Sequence, residues 1–305
     1  MPADTHGGGL LAVHAHPDDE TLGSGATLAL YAGRGVPVTL VTCTRGECGE
    51  VIPADLAHLE GDLTALGAHR VTELAEAMRR LGVADHHFLG AAIPGVTSRF
   101  APRVYRDSGM AYADDGRVVP ASSMVAGAFA VEDADEQAQR LAEVVAARRP
   151  RAVLTYDPGG GYGHPDHVRA HRVTTAAVAI VARQGVVVPK VYWIAVPESV
   201  AVAHDRELAR DLPPPSRPRE GPWPSVVMPD DAVTTAVAGT EALRPVKAAA
   251  LRAHATQVSV ADDDRTFALS NRVVQALSGQ EWFRRVTGEA GGKPDADGRE
   301  TDLLA

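Results

Sequence analysis

The sequence predicts an α/β chain: a Rossmann-like, doubly wound, mostly parallel sheet with a smaller C-terminal α/β region. Three observations carry that prediction. Apolar runs alternate with helical patterns over the first two thirds of the chain. Those runs are nearly unbroken, as in strands buried on both faces, rather than alternating with polar residues. The 305 residues are enough for one large domain or two smaller ones without disulfide staples.

In order, Leu10 to Ala15 reads as the first strand and His16 to Glu20 as a loop after it. Thr21 to Arg34 has the apolar spacing of a helix that Gly33 and Gly35 end. Val36 to Thr44 is a β-branched strand, Leu56 to Leu81 one long or two shorter helices broken near Gly67, and His86 to Gly90 a third strand. Ala91 to Val131 lacks periodicity and is expected to be a long loop or lid. Asp133 to Arg149 is an amphipathic helix, acidic at its start, rich in arginine at its end and stopped by Pro150. Ala152 to Tyr156 is a strand, Asp157 to His167 a glycine-rich loop, Val168 to Arg183 a helix and Lys190 to Val196 a strand. Beyond Val196 the character changes. Leu212 to Pro224 reads as a proline-rich connector, Pro229 to Thr235 as a strand and Ala242 to Ala255 as a helix. Phe267 to Val286 is expected to be partly helical and Gly288 to Arg299 a mobile tail. The expected division is a catalytic domain over 1–196 and a smaller region over 197–305 that completes the substrate pocket.

Composition narrows the function classes. A net charge of −9 without any run of lysine or arginine argues against a nucleic-acid partner. No apolar stretch approaches the roughly 18–20 residues of a membrane span. Met1 to Gly9 has neither a basic nor an apolar signal region, so a cytoplasmic location is expected. Cys43 and Cys48 are too few for a disulfide framework and read as free thiols. Phosphate-loop, dinucleotide and nucleophile-elbow motifs are absent. Oligomeric state is not readable. The twelve histidines direct attention to chemistry, because imidazole is the commonest metal ligand.

Two loops concentrate that chemistry. Ala15-His16-Pro17-Asp18-Asp19-Glu20 follows the first strand, and Gly163-His164-Pro165-Asp166-His167 follows a later one. Ligands of open α/β sheets bind beyond the carboxyl ends of the strands. A catalytic zinc site needs three nitrogen or oxygen ligands and an open position, which His16, Asp19 and His167 would supply. Asp18 would then take a proton from water. His164 would serve a developing oxyanion, with Asp166 orienting it and Tyr162 adding a phenolic donor. Glu20 and Asp166 would stand behind the others. Taken singly, each His-Pro-Asp is also an ordinary turn and helix cap.

The two loops resemble the signature motifs of the PIG-L/LmbE-like zinc deacetylase superfamily. Further stretches are similar to its branch in mycothiol biosynthesis: Val41-Thr42-Cys43-Thr44, Gly49-Glu50-Val51-Ile52, Arg106-Asp107-Ser108-Gly109-Met110, Thr155-Tyr156-Asp157-Pro158, Ala253-His254-Ala255-Thr256-Gln257-Val258 and the terminal Glu300 to Ala305. The resemblance implies a metal-dependent hydrolase that removes acetate from an N-acetylglucosamine joined to myo-inositol, a small-molecule amino-sugar substrate. It implies metal ligands at His16, Asp19 and His167, the base at Asp18, and the oxyanion partner at His164 with Tyr162 and Asp166. It also implies substrate contacts at Glu50, Arg70, Asp107 and Met110. The metal is expected to be Zn2+, with Fe2+ as the other cation that two imidazoles and a carboxylate accommodate. Cys48 stands where the family pattern has glutamate, and the stretch from Ala91 to Val104 is longer than the family's loop. The rival readings are a mycothiol S-conjugate amidase and a non-catalytic sugar-binding module.

Overall fold

The computed structural model describes residues 8–113, 118–210 and 218–305. The first half runs β1 (Leu10–His14), α1 (Asp19–Gly33), β2 (Val38–Thr42), α2 (Leu63–Leu81) and β3 (Asp85–Phe88). A hairpin of β4 (Met110–Tyr112) and β5 (Val118–Pro120) interrupts the long stretch before α3 (Ala134–Arg148) and β6 (Ala152–Thr155). The single turn α4 (Gly160–Gly163) leads to α5 (Pro165–Arg183), β7 (Lys190–Pro197) and α6 (Glu198–Leu208). The remainder holds β8 (Val227–Met228), β9 (Thr235–Ala236), α7 (Arg244–Ala253), β10 (Ser259–Val260), β11 (Thr266–Ala268), β12 (Val274–Ala276) and β13 (Trp282–Thr287).

The main sheet has the order β3-β2-β1-β6-β7-β13-β9, and β8 pairs with β7. The first five strands are parallel; β13 is antiparallel to both β7 and β9. The chain winds outward from β1 in one direction through β2 and β3, then returns to the other side of β1 as β6. Right-handed crossovers therefore place the intervening helices on opposite faces. Leu11, Val13, Leu40, Val41, Val153 and Leu154 are fully buried between those layers, which is why the strand runs are continuously apolar. The strand order reverses between β1 and β6. The loops after these two strands, which carry the His-Pro-Asp pairs, therefore face each other across the crevice.

The fold class is as predicted, and several elements differ in detail. Phe267 to Val286 is not helical: it forms β11, β12 and β13. Trp282, Phe283 and Val286 suit a pleated surface, and Phe283 is buried where β13 covers the edge of β7. Helix α2 is not broken at Gly67; it starts after Asp62, whose carboxylate accepts the amides of Thr64 and Ala65. Gly67 serves close approach instead, since a Cβ there would lie 2.7 Å from Glu47 Cγ. The 91–131 stretch contains the β4–β5 hairpin, and the helix α6 is an addition. Between Pro229 and Thr235 there is a short 3-10 turn at Asp230–Ala232, with strands β8 and β9 on either side. Of the expected proline-rich connector, residues 212–217 lie outside the described residues. The 288–299 stretch has no helix or strand but is tied back to the end of the chain, through Gly291 N–H to Glu300 and Thr301 hydroxyl to the Lys293 carbonyl.

Glu300 is the hub of that closure. Its buried carboxylate meets Lys190 Nζ at 2.6 Å, the Tyr192 hydroxyl at 2.8 Å and Arg285 Nη1 at 2.9 Å. Burial alone would raise its pKa, but Lys190, the Gly291 amide, Tyr192 and Arg285 outweigh burial and lower it. A lowered folded pKa gives stability that is complete above the unfolded value of about 4.3 and is lost as pH falls through the folded one. Glu300→Gln, which removes the carboxylate shared by Lys190, Tyr192 and Arg285, is expected to cost about 3 kcal/mol at pH 7 in denaturant unfolding. It is also expected to flatten the loss of stability below about pH 4.

Candidate active site

His16 lies two residues beyond the end of β1, and α1 begins at Asp19, so Asp19 sits in the first helical turn rather than in a loop. On the facing side, His164 caps α5 and Pro165 occupies its first turn, where a fixed φ and a missing N–H cost nothing. Asp166 and His167 therefore stand on a rigid helix start, not in the glycine-rich loop. Gly160 makes this possible. Its φ is +68°, and a Cβ would lie 2.7 Å from the Val168 amide and 2.8 Å from His167 Cβ.

Three side-chain atoms converge from these elements. His16 Nδ1 lies 3.2 Å from Asp19 Oδ2, His167 Nε2 lies 3.2 Å from the same oxygen, and the two nitrogens are 3.3 Å apart. Donor atoms about 2.1 Å from a common cation are about 3.0–3.4 Å apart in right-angled to tetrahedral geometry, so this triangle fits one. The other ring nitrogens fix the tautomers. His167 Nδ1 donates to the Gly160 carbonyl at 3.1 Å, and His16 Nε2 donates to Asp166 Oδ2 at 3.2 Å. Each ring turns its other nitrogen toward Asp19; against burial, Asp107, Asp166 and Asp19 raise the His16 pKa well above its ordinary value, so a cation bound there would displace a proton from His16. Tyr156 stacks on His167 with centroids 4.2 Å apart and accepts the Ala15 amide through its hydroxyl, holding both loops.

Asp18 lies at the edge of this triangle with φ 106°, a conformation rare for a residue with a Cβ. Its Oδ2 is 3.2 Å from Arg70 Nη2. Burial pushes the Asp18 carboxyl up to about 7, against the pull of the Arg70 guanidinium. His164 Nδ1 accepts the Asp166 amide at 3.1 Å, so a neutral His164 carries its proton on Nε2. Burial and the neighbouring imidazoles of His16 and His167 lower the His164 pKa and keep the ring neutral.

The expected partnership of Asp166 with His164 is corrected. Only the backbone N–H of Asp166 reaches His164, while its carboxylate turns to His16 and accepts both the amide and the hydroxyl of Ser108. Asp107 is equally buried: its carboxylate accepts the amides of Cys48 and Gly109 and lies 3.6 Å from His16 Nε2. Arg70 is only 3% exposed and spends its guanidinium on the Pro17 and Gly46 carbonyls and on Asp18. It meets the site from beneath Asp18, not at the mouth. Glu50, Met110 and Tyr162 are the exposed residues of the set, with the Tyr162 ring 4.9 Å from that of His167. Tyr156, Ser108 and the Gly160 carbonyl were given no role from sequence. The tyrosine reads only as the end of a strand and the glycine only as a turn.

The profile of a family described as PIG-L, GlcNAc-PI de-N-acetylase, matches residues 11–178. The chain belongs to the PIG-L family. Full-length similarity extends beyond that segment. The 1D-myo-inositol 2-acetamido-2-deoxy-alpha-D-glucopyranoside deacetylase of Kineococcus radiotolerans is 50% identical, over 97% of this chain and 82% of its own. The protein of the same name from Streptomyces avermitilis is 46% identical over 97% and 96%. Among solved structures, the N,N'-diacetylchitobiose deacetylase of Pyrococcus horikoshii superposes with a TM-score of 0.50 at 19% identity, covering 92% of this chain and 84% of its own. The 4-carboxy-2-hydroxymuconate hydratase of Pseudomonas putida reaches 0.53 at 18% identity, over 94% and 100%. A hydratase on this fold shows that architecture alone does not settle chemistry. As a PIG-L member the chain is a hydrolytic N-deacetylase, and the buried histidines and aspartates around His16 are a group that could hold a metal ion.

Proposed function

We infer that this deacetylase removes acetate from an N-acetylglucosamine joined to myo-inositol, releasing the free amine. Support for the substrate comes from relatives of that name at up to 50% identity across nearly the whole chain. The observation that carries the chemistry is the triangle of two imidazole nitrogens and a carboxylate oxygen with sides of 3.2–3.3 Å. We assign the metal to His16, Asp19 and His167 and its identity to zinc, or iron(II) in the cell, since both accept this donor set. A cation there supplies Lewis acidity toward the acetamide carbonyl and makes a water easier to deprotonate.

The chain's own groups do the rest. Asp18 takes a proton from the attacking water and passes it to the amine nitrogen as the C–N bond breaks. His164 donates from Nε2 to the carbonyl oxygen as it gains charge, and Tyr162 closes over the same oxygen from the mouth. Asp166 orients this reaction through His16. Glu50 and Met110 hold the sugar and inositol at the rim, while Asp107 and Arg70 shape the floor.

In the same reading, residues 197–305 complete the pocket built by 1–196. Gln257 donates to the Glu50 carbonyl, and the Ser225 hydroxyl donates to the Gly161 carbonyl below Tyr162. Among the described residues no helix is long and apolar enough to cross a membrane, and both cysteines are free. A cytoplasmic setting accords with those facts. The test is turnover by one preparation of N-acetylglucosaminyl-inositol and of a mycothiol S-conjugate. Faster acetate release from the first is expected; faster amide cleavage of the second would overturn the assignment.

A further inference from the structure

Glu20 and His254 are both fully buried, 234 residues apart in the chain, and neither belongs to the metal triangle or the substrate rim. Glu20 Oε2 accepts the backbone N–H of Asp18 at 2.9 Å. Its Oε1 accepts His254 Nε2 at 2.9 Å and the Thr21 hydroxyl at 2.5 Å. The Asp18 carbonyl is the first acceptor of α1, taking the amides of Thr21 and Leu22 at 3.0 and 2.9 Å. Arg70 holds the preceding Pro17 carbonyl and the Asp18 carboxylate. Asp18 is thus gripped at its amide, its carbonyl and its side chain while its φ stands at 106°. A residue with a Cβ stays there only when its surroundings over-determine it. His254 is itself fixed. It follows α7, and two residues on Thr256 gives its amide and hydroxyl to Glu73 of α2 at 2.8 and 2.7 Å.

We propose that the buried Glu20–His254 pair is a positioning couple for the general base, through which the C-terminal region holds Asp18 in its strained, proton-accepting conformation. Neither residue touches the substrate. The carboxylate anchors the Asp18 amide, and the imidazole anchors the carboxylate. The inference rests on the deacetylase reading of the same site and adds a role for the region beyond residue 197. Loss of the anchor lets Asp18 relax toward ordinary φ, which displaces its carboxylate from the water without moving His16, Asp19 or His167. The expected signature is therefore in kcat alone.

The test compares His254→Phe, which fills the space without donating, with His254→Gln, which restores a donor toward Glu20. Kinetics on N-acetylglucosaminyl-inositol and bound-metal analysis are run on both. His254→Phe is expected to lower kcat about tenfold or more, with KM and metal content within about twofold of the parent, and His254→Gln to recover most of that loss. Glu20→Met, which keeps the volume but accepts nothing from the Asp18 amide, should lower kcat about tenfold or more with metal content near parental, so the role stays testable if His254→Phe fails to fold. Equal activity of His254→Phe and parent, or loss of metal in step with kcat, would overturn the proposal. An active parent with unaffected His254→Phe and Glu20→Met refutes the positioning role, whereas an inactive parent refutes the activity assigned to the site.

Discussion

Asp18→Asn lowers kcat for deacetylation by about 10³-fold, the middle of the range for a single general acid–base group. The bound metal and KM stay near parental values. Asparagine is the informative replacement, because it keeps the shape of Asp18 and tolerates positive φ better than alanine does. Asp18→Ala should show the same loss with an added destabilisation. The metal is retained because Asp18 contributes no atom to the triangle of His16, Asp19 and His167. The acid limb of the pH profile carries a second signature. Burial holds the Asp18 carboxyl at about 7, and a bound cation pulls it lower by favouring the anion. The parent should thus lose activity as pH falls through a midpoint at or below about 7, and the residual activity of Asp18→Asn should not share that limb. Unchanged kcat in Asp18→Asn would remove Asp18 from the mechanism.

His167→Ala has the other large effect, and its origin differs. One lone pair of three is lost, and with it the ring that Tyr156 stacks upon and the Gly160 carbonyl orients. Metal affinity is expected to fall by at least about 100-fold, since loss of an orienting partner alone costs about 10–100-fold. Activity at ordinary metal concentration should fall by about 10³-fold or more. Excess metal should restore part of the turnover in His167→Ala and none in Asp18→Asn. That contrast separates a ligand from a base in one pair of proteins.

The parts of this site that were legible in sequence were those that lie close together in it. His16, Asp18 and Asp19 share one short segment, His164, Asp166 and His167 another, and both segments follow apolar strands that could only be buried. The supports were not legible, because their partners are remote and their residue types are ordinary. Nothing in the pattern around Ser108 says that its amide and hydroxyl hold Asp166, nor in that around His254 that it meets Glu20. The direction of the Asp166 carboxylate depended on where the 106–110 loop lies, and no periodicity reports that. For the same reason Arg70 reads as a solvated helix residue, although it is packed beneath Asp18. In the fold, the strands buried on both faces were read correctly; apart from the unbroken α2 and the β4–β5 hairpin, the errors fell beyond residue 196. Strands of two to six residues there are too short to show alternation, and Arg284 and Arg285 interrupt the apolar pattern of β13. The helix α6 escaped notice because only Ala201 of it is buried, so it has almost no apolar stripe.

The most direct measurement is acetate release from N-acetylglucosaminyl-inositol as a divalent metal is titrated into chelator-stripped protein under anaerobic conditions. The geometry of His16, Asp19 and His167 predicts negligible release from the stripped protein, with activity rising to a plateau at about one equivalent of zinc or iron(II). Full acetate release by stripped protein, or a plateau reached equally well by His167→Ala at the same equivalence, would contradict it.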